Sequence, residues 1–133
     1  MTDIGSVKAI TVCSSSKFYS TARVVAKDLA ERGYKIYTPR FEYSEEVVAV
    51  SAEEKMMLTK EFLNKIHCSD AIYVIDEGGY TGRSVCIEVG YAFGSKRGII
   101  LSEPATEDAI TALADAVVPV DQIGQWLAQI SRD

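Results

Sequence analysis

The chain has 133 residues, a net charge of −5 and an isoelectric point near 4.9; this is the length of one domain, expected to run over 1–133 and to bury a core without disulfides or metals. The acidity argues against a nucleic-acid polymer as partner, because such binders carry a basic face that displaces counterions, but a small nucleotide needs only local donors, and Lys17, Arg23, Arg40 and Arg83 stand in or beside expected loops. Cys13, Cys68 and Cys86 form no C-x-x-C pair and read as cytosolic thiols rather than a disulfide or zinc framework, while no apolar run approaches the roughly 18 residues of a membrane helix and no signal-peptide core opens the chain, so a cytoplasmic protein is expected.

Lys8 to Cys13 reads as a first strand that ends in Ser14-Ser15-Ser16. A helix follows, with Ala22, Val25, Ala26 and Leu29 on one face and Gly33 placed to end it. Tyr34 to Tyr37 reads as a second strand, stopped by Thr38-Pro39. Residues 40 to 50, acidic at one end and rich in valine at the other, read as a loop over the site. Ser51-Ala-Glu-Glu54 is a capping-box pattern for a helix with Leu58, Phe62 and Ile66 as its buried stripe.

The stretch Ser69 to Ala92 organises the rest. Ala71 to Ile75 is an apolar, mostly β-branched or aromatic run suited to a strand buried on both faces of a parallel sheet. Gly78-Gly79 breaks it, Thr81 or Ser84 is expected to cap the next helix, and Val85, Val89 and Ala92 follow at helical spacing, which puts Glu88 in the second turn. Lys96 or Arg97 to Leu101 reads as a fourth strand, Thr106 to Ala114 as a short helix and Ala116 to Val118 as a short fifth strand; Asp121 is expected to cap a last helix with Ile123, Trp126, Leu127 and Ile130 inward.

Alternating strands and helices imply an α/β fold: a single five-stranded parallel sheet, flavodoxin- or Rossmann-like, with helices on both faces. The expected strand order is 2-1-3-4-5, which makes the Ser14–Ser16 loop and the Asp76–Gly82 loop face each other across one crevice at the carboxyl edge of the sheet. No Walker A loop or dinucleotide fingerprint is present, and the arginine that a cysteine phosphatase loop requires is replaced by Tyr19. The single His67 and the scattered acids suggest no metal cluster, and no cofactor is called for.

The segments Asp70-Ala-Ile-Tyr-Val-Ile, Gly78-Gly79-Tyr80-Thr81-Gly82 and Glu88-Val-Gly-Tyr-Ala92, with the opening VCSSSKFYSTARVVAKDLAERGYKIYTP, resemble the nucleoside 2-deoxyribosyltransferase-like family over residues 8 to 102. The resemblance implies a small enzyme that cleaves or transfers across the N-glycosidic bond of a nucleoside or nucleoside 5′-monophosphate. Glu88 matches the glutamate that attacks the anomeric carbon in that family. The underlying chemistry is that of a retaining glycosidase. Taken alone, Glu88 shares a helix stripe with Ser84 and Ser95 and reads first as a solvated helical glutamate; the resemblance reverses that preference.

Two positions depart from the family pattern: Phe62 stands where an aspartate of the preceding helix is expected, and Gly82 where the transferases carry an acid. The acid's work then falls to Asp76 or Glu77, the substrate differs, or the site only binds. Ser14, Ser15 and Ser16 can hydrogen-bond a sugar or phosphate, or merely cap the next helix. Phe18 and Tyr19 can stack on a base, although Phe18 can equally begin the core face. Gly79, Tyr80, Gly82, Arg83 and Ser84 complete the expected binding loop, and Asp70 reads as structural. The resemblance also implies a homodimer or larger homo-oligomer.

Overall fold

The computed structural model describes residues 7–43 and 50–131. Its strands are β1 (Ala9–Ser14), β2 (Lys35–Tyr37), β3 (Ala71–Ile75), β4 (Gly98–Leu101) and β5 (Ala116–Val117); its helices are α1 (Tyr19–Glu31), α2 (Ala52–His67), α3 (Arg83–Gly94), α4 (Asp108–Leu113) and α5 (Ile123–Ile130). They form one five-stranded parallel sheet in the order β2-β1-β3-β4-β5, as the alternation of elements predicts. β3 lies at its centre, with Ile10 opposite Ala71 and Ser14 opposite Ile75, so the loops after β1 and β3 leave the same edge side by side.

Side-chain alternation along the strands divides the interior into two cores. Ala71, Tyr73 and Ile75 face one way, onto Ala22, Val25 and Leu29 of α1 and Ile123 and Leu127 of α5. Ile72 and Val74 face the other way, onto Phe62 and Ile66 of α2, Val85, Val89 and Ala92 of α3 and Ile110 of α4. A strand with both faces covered can carry an uninterrupted apolar run, and all five residues of β3 are buried.

The ends of the elements follow local rules in most places. Ser51 Oγ accepts from the Glu54 amide at 3.1 Å, which caps α2 as its sequence indicates. Asp70 Oδ2 accepts from the Lys8 and Ala9 amides at 2.9 and 3.0 Å, a structural clamp at the edge opposite the crevice. On that side Arg97 donates to the Ser95 carbonyl and, at 2.8 Å, to the His67 carbonyl, joining the carboxyl ends of α3 and α2.

Three expectations are corrected. Neither Thr81 nor Ser84 caps α3: the N-cap is Gly82, at φ +81, without a side-chain cap, and Ser84 is already inside the helix. Gln122, not Asp121, is the N-cap of α5, again without a side-chain hydrogen bond. Leu58 is only half-buried on α2, since the cleft opens above Phe62. Of the loop expected over residues 40–50, Phe41–Tyr43 form a 3-10 turn, and 44–49 lie outside the described residues.

Candidate active site

A cleft of about 590 Å³ opens at the carboxyl edge of β1 and β3. Its floor and one wall come from Ser14, Ser15, Ser16 and Tyr19; a second wall is the amino-terminal part of α3 with the loop before it, from Tyr80 to Arg83, Ser84 and Glu88; the third is α2, from Lys55 to Lys65. The sequence reading anticipates the first two walls. The positive φ of Gly82 makes the turn that delivers Arg83 and Ser84 to the cleft, and an L side chain there would be strained.

Glu88 lines this cleft, yet its Oε1 has no accessible surface and no conventional hydrogen-bond partner. Glu88 is thus part-exposed as a residue while one of its carboxyl oxygens is withdrawn from solvent. The group facing its carboxyl is the Cys13 thiol, at the end of β1 and wholly buried. Burial pushes the Glu88 carboxyl up to about 8, opposed in part by hydrogen bonding to Cys13. Burial also raises the Cys13 thiol, with the neighbouring Glu88 charge adding to the effect, so Cys13 is a neutral donor rather than a thiolate.

The loop residues divide. Ser14 Oγ donates to the Ser15 carbonyl at 2.7 Å, and Ser15 Oγ accepts from the Lys17 amide at 3.3 Å, so two of the three serines shape the turn that holds them in the cleft. Tyr80 is 43 % exposed at the mouth, with Lys17 Nζ 4.2 Å from its ring centre and Phe18 edge-on at 6.1 Å. Phe18 itself packs against the core of α1 and α5 and does not line the cleft. It is a support for Tyr80 rather than a surface for a base. Tyr19 lines the cleft and meets Phe41 edge-on at 5.0 Å.

Asp76 is a clear correction. It is fully buried and outside the cleft lining; its Oδ1 accepts from Ser102 Oγ at 2.8 Å and from the Glu103 amide at 2.9 Å, while Ser102 Oγ accepts from the Asp76 amide at 3.0 Å. The residue ties the end of β3 to the end of β4. Burial raises its carboxyl, and these hydrogen bonds pull the other way. Glu77 is turned toward α1, where Thr21 Oγ1 donates to it at 2.6 Å. Gly79 also lies outside the cleft, because its backbone packs on 104–106: the Thr106 amide donates to its carbonyl at 3.0 Å, and a Cβ would stand 2.8 Å from the Pro104 carbonyl oxygen.

The wall from α2 is what the sequence reading missed. Phe62, 8 % exposed, lines the cleft where the resemblance implies an acid, and its neighbour Glu61 lines it too. Glu61 is held by Arg40, whose Nε donates to Oε2 at 2.8 Å and Nη2 to Oε1 at 2.5 Å. This fork-on-fork pairing holds the Glu61 carboxyl below its usual range. Lys65 donates to the Thr38 carbonyl at 2.8 Å and stands 5.9 Å from the Phe62 ring centre. The spacing of 55, 58, 59, 62 and 65 on one helix face was the available signal.

Among the described residues, no group of three or more histidine, cysteine or acidic side chains is placed to hold a metal ion, and no helix is long and apolar enough to cross a membrane. Fold and cleft together define the class: a doubly wound parallel α/β domain with a crevice at the switch point between β1 and β3, lined by a carboxyl with one buried oxygen.

No family model matches the chain, and no curated protein matches it. Solved structures do. A 2-deoxyribosyltransferase from Bacillus psychrosaccharolyticus is 22% identical, with a TM-score of 0.65 over 92% of this chain and 95% of that one. A conserved protein of Enterococcus faecalis V583 is 11% identical, with a TM-score of 0.64 over 93% and 99% of the two chains. The CMP N-glycosidase BcmB of Clostridium botulinum is 14% identical, with a TM-score of 0.59 over 92% and 98%. The chain thus has the nucleoside 2-deoxyribosyltransferase-like fold that its sequence motifs imply.

Proposed function

We propose that this protein cleaves, or transfers across, the N-glycosidic bond of a nucleoside 5′-monophosphate or a related nucleoside, with Glu88 as nucleophile. The observation that carries the reading is the Glu88 carboxyl itself: it lies at the switch-point crevice with one oxygen sealed and the cleft before it. Two of the solved structures that share the fold are a deoxyribosyltransferase and a CMP N-glycosidase, which supports the same bond as the target.

In this mechanism the ionised carboxylate attacks the anomeric carbon as the bond to the base breaks. The bonding pair leaves on the base, which takes up a proton. The glycosyl ester on Glu88 is then released by water, giving free sugar, or by a second base, giving a new nucleoside. Asp76 takes no part, being outside the cleft.

Among the described residues, Arg40, Lys55, Lys65 and Arg83 line the cleft against only two acids, Glu61 and Glu88. A cationic cleft in a chain of net charge −5 supports an anionic substrate, hence the monophosphate. Burial disfavours ionisation of Glu88 and raises its carboxyl to about 8, so the attacking form gains population as pH rises.

A second reading is a nucleotide-binding module without turnover, favoured by Phe62 in the place of the family's aspartate. Chromatographic detection of free base, after incubation with nucleosides, deoxynucleosides and their 5′-monophosphates with and without an acceptor base, separates the two. Base release by wild type and none by Glu88→Gln supports the enzyme. Saturable nucleotide binding without release, insensitive to Glu88→Gln, replaces it with the binding module.

We further propose the homo-oligomer that the resemblance implies. Exposed Met56 and Met57 on α2, with Ile87 and Phe93 on its neighbour α3, are apolar surface that a second copy can cover. Light scattering on the eluting protein tests this, and a monomer mass at micromolar concentration rejects it.

A further inference from the structure

The base that departs in the mechanism above must take up a proton, and its acidic neighbours are not placed to supply one. Asp76 and Glu77 lie outside the cleft lining, and Glu61 is paired with Arg40, which holds it as the carboxylate. The Lys65 ammonium is engaged by the Thr38 carbonyl.

Tyr80 lines the cleft, part-exposed, and among the described residues its hydroxyl makes no hydrogen bond. The ring is nevertheless held: Lys17 Nζ stands 4.2 Å from its centre, and Phe18 meets it edge-on at 6.1 Å. Its hydroxyl end lies against Gly82, the N-cap of α3, where a Cβ would stand 3.6 Å from the Tyr80 oxygen. With a cation over the ring and the start of α3 against its far end, Tyr80 offers the cleft a hydroxyl rather than an open face for stacking. Glu88 is in the second turn of the same helix, and helical side chains lean toward the amino terminus, which is the end that Tyr80 overlies.

We infer that Tyr80 is a catalytic residue that donates its hydroxyl proton to the departing base. This rests on the reading of Glu88 as nucleophile. As the bond between the anomeric carbon and the base nitrogen breaks, its electron pair stays on the base, and the Tyr80 proton passes to a ring nitrogen or carbonyl oxygen of that base. The phenolate recovers a proton from the water that opens the glycosyl ester on Glu88, or from the N–H of an incoming base. A phenol suits the task because it carries its proton at neutral pH and is a far stronger acid than the serine hydroxyls of the cleft.

The test compares leaving bases that differ in their need for a proton. Base release is measured for wild type and Tyr80→Phe in two pairs, each with the sugar that wild type accepts. GMP is set against 7-methylguanosine 5′-monophosphate, whose base departs as a neutral molecule, and UMP against 5-nitrouridine 5′-monophosphate, whose base departs readily as an anion. Tyr80→Phe is expected to lower kcat/KM about 100-fold or more for the unmodified base and to leave the activated one within a few-fold of wild type. Glu88→Gln should abolish release from both, so loss of the nucleophile and loss of the donor have different signatures.

Phenylalanine keeps the ring at this part-exposed position, and with it the Lys17 and Phe18 contacts, so the variant tests the hydroxyl alone. An equal loss on both members of a pair, which a binding role produces, overturns the inference, as does no loss on either. Tyr19→Phe and Lys55→Met are assayed alongside, because both residues are further proton carriers of the lining. A selective loss in one of them, with Tyr80→Phe unaffected, overturns the inference and moves the donor there. If wild type releases only the activated bases, no donor operates and Tyr80 loses its role while Glu88 stands. Release of no base at all rejects Glu88 as nucleophile and the role of Tyr80 with it.

Discussion

Replacing Glu88 with glutamine is expected to make the protein more stable, by an amount that depends on pH. The folded carboxyl titrates near 8 against an ordinary value of 4.5, and burial is the main cause. An acid whose folded value is raised binds more protons in the native than in the unfolded state between those two values. Stability therefore falls as pH rises from about 4.5 to about 8, and is flat above. A displacement of about 3.5 units at roughly 1.4 kcal/mol each sets an upper limit of about 5 kcal/mol. The open side of the cleft admits solvent, which reduces the expected effect to about 2–4 kcal/mol.

Glutamine is nearly isosteric with the protonated acid and does not titrate in this range. Urea unfolding of the two proteins at intervals from pH 5 to pH 9 should therefore show nearly equal stability at the acid end and a widening advantage for the variant toward the alkaline end. Asp76, also raised, contributes the same slope to both proteins and cancels in the difference. Parallel stability curves would refute the reasoning, because they would mean that Glu88 ionises in the folded protein as easily as in the unfolded chain.

The pH profile of kcat/KM, which reports the free enzyme, should rise through a limb near 8 as Glu88 ionises; a profile flat from pH 6 to 9 would remove Glu88 as the titrating nucleophile. Asp76→Ala should cost about 1–3 kcal/mol in chemical denaturation by leaving the Ser102 hydroxyl proton and the Glu103 amide without their acceptor, yet leave base release per folded molecule within a few-fold. A loss of a hundredfold or more would return Asp76 to the chemistry. Gly78→Ala and Gly79→Ala each put an L side chain at positive φ, at a cost of about 1–2 kcal/mol, but only the second drives a Cβ against the Pro104 carbonyl. The midpoint of thermal unfolding should thus drop further for Gly79→Ala, and equal drops would show that 104–106 yields freely.

Strand order and element types were readable because they depend on periodicity and on local breakers. The apolar run from Ala71 to Ile75 has one solution, a strand covered on both faces, and Gly33 at φ +100 ends α1 where its sequence indicates. The position of Glu88, in the second turn of α3, was legible through its distance from the glycine loop, whereas its expected role came from the resemblance alone. What was not legible were choices made by partners far along the chain. Asp76 sits in the loop expected to face the crevice, but a serine 26 residues on captures its carboxylate. Glu61 lies about 100° around the helix axis from Phe62, yet Arg40, from a loop 21 residues earlier, pairs with it at the cleft. Caps failed for a related reason: at α3 the left-handed Gly82 sets the turn, and no side chain is needed to do it.

Arg97 spans two helix ends on the side of the molecule away from the cleft, donating to the His67 and Ser95 carbonyls. Those helices, α2 and α3, also form two walls of the cleft. The guanidinium therefore acts as a pivot pin that fixes the splay of the walls from below. Cleft width is then adjustable at a distance: a shorter side chain at this position would let the helices part without altering any residue of the cleft lining, which gives directed evolution a handle on width separate from the residues that line it.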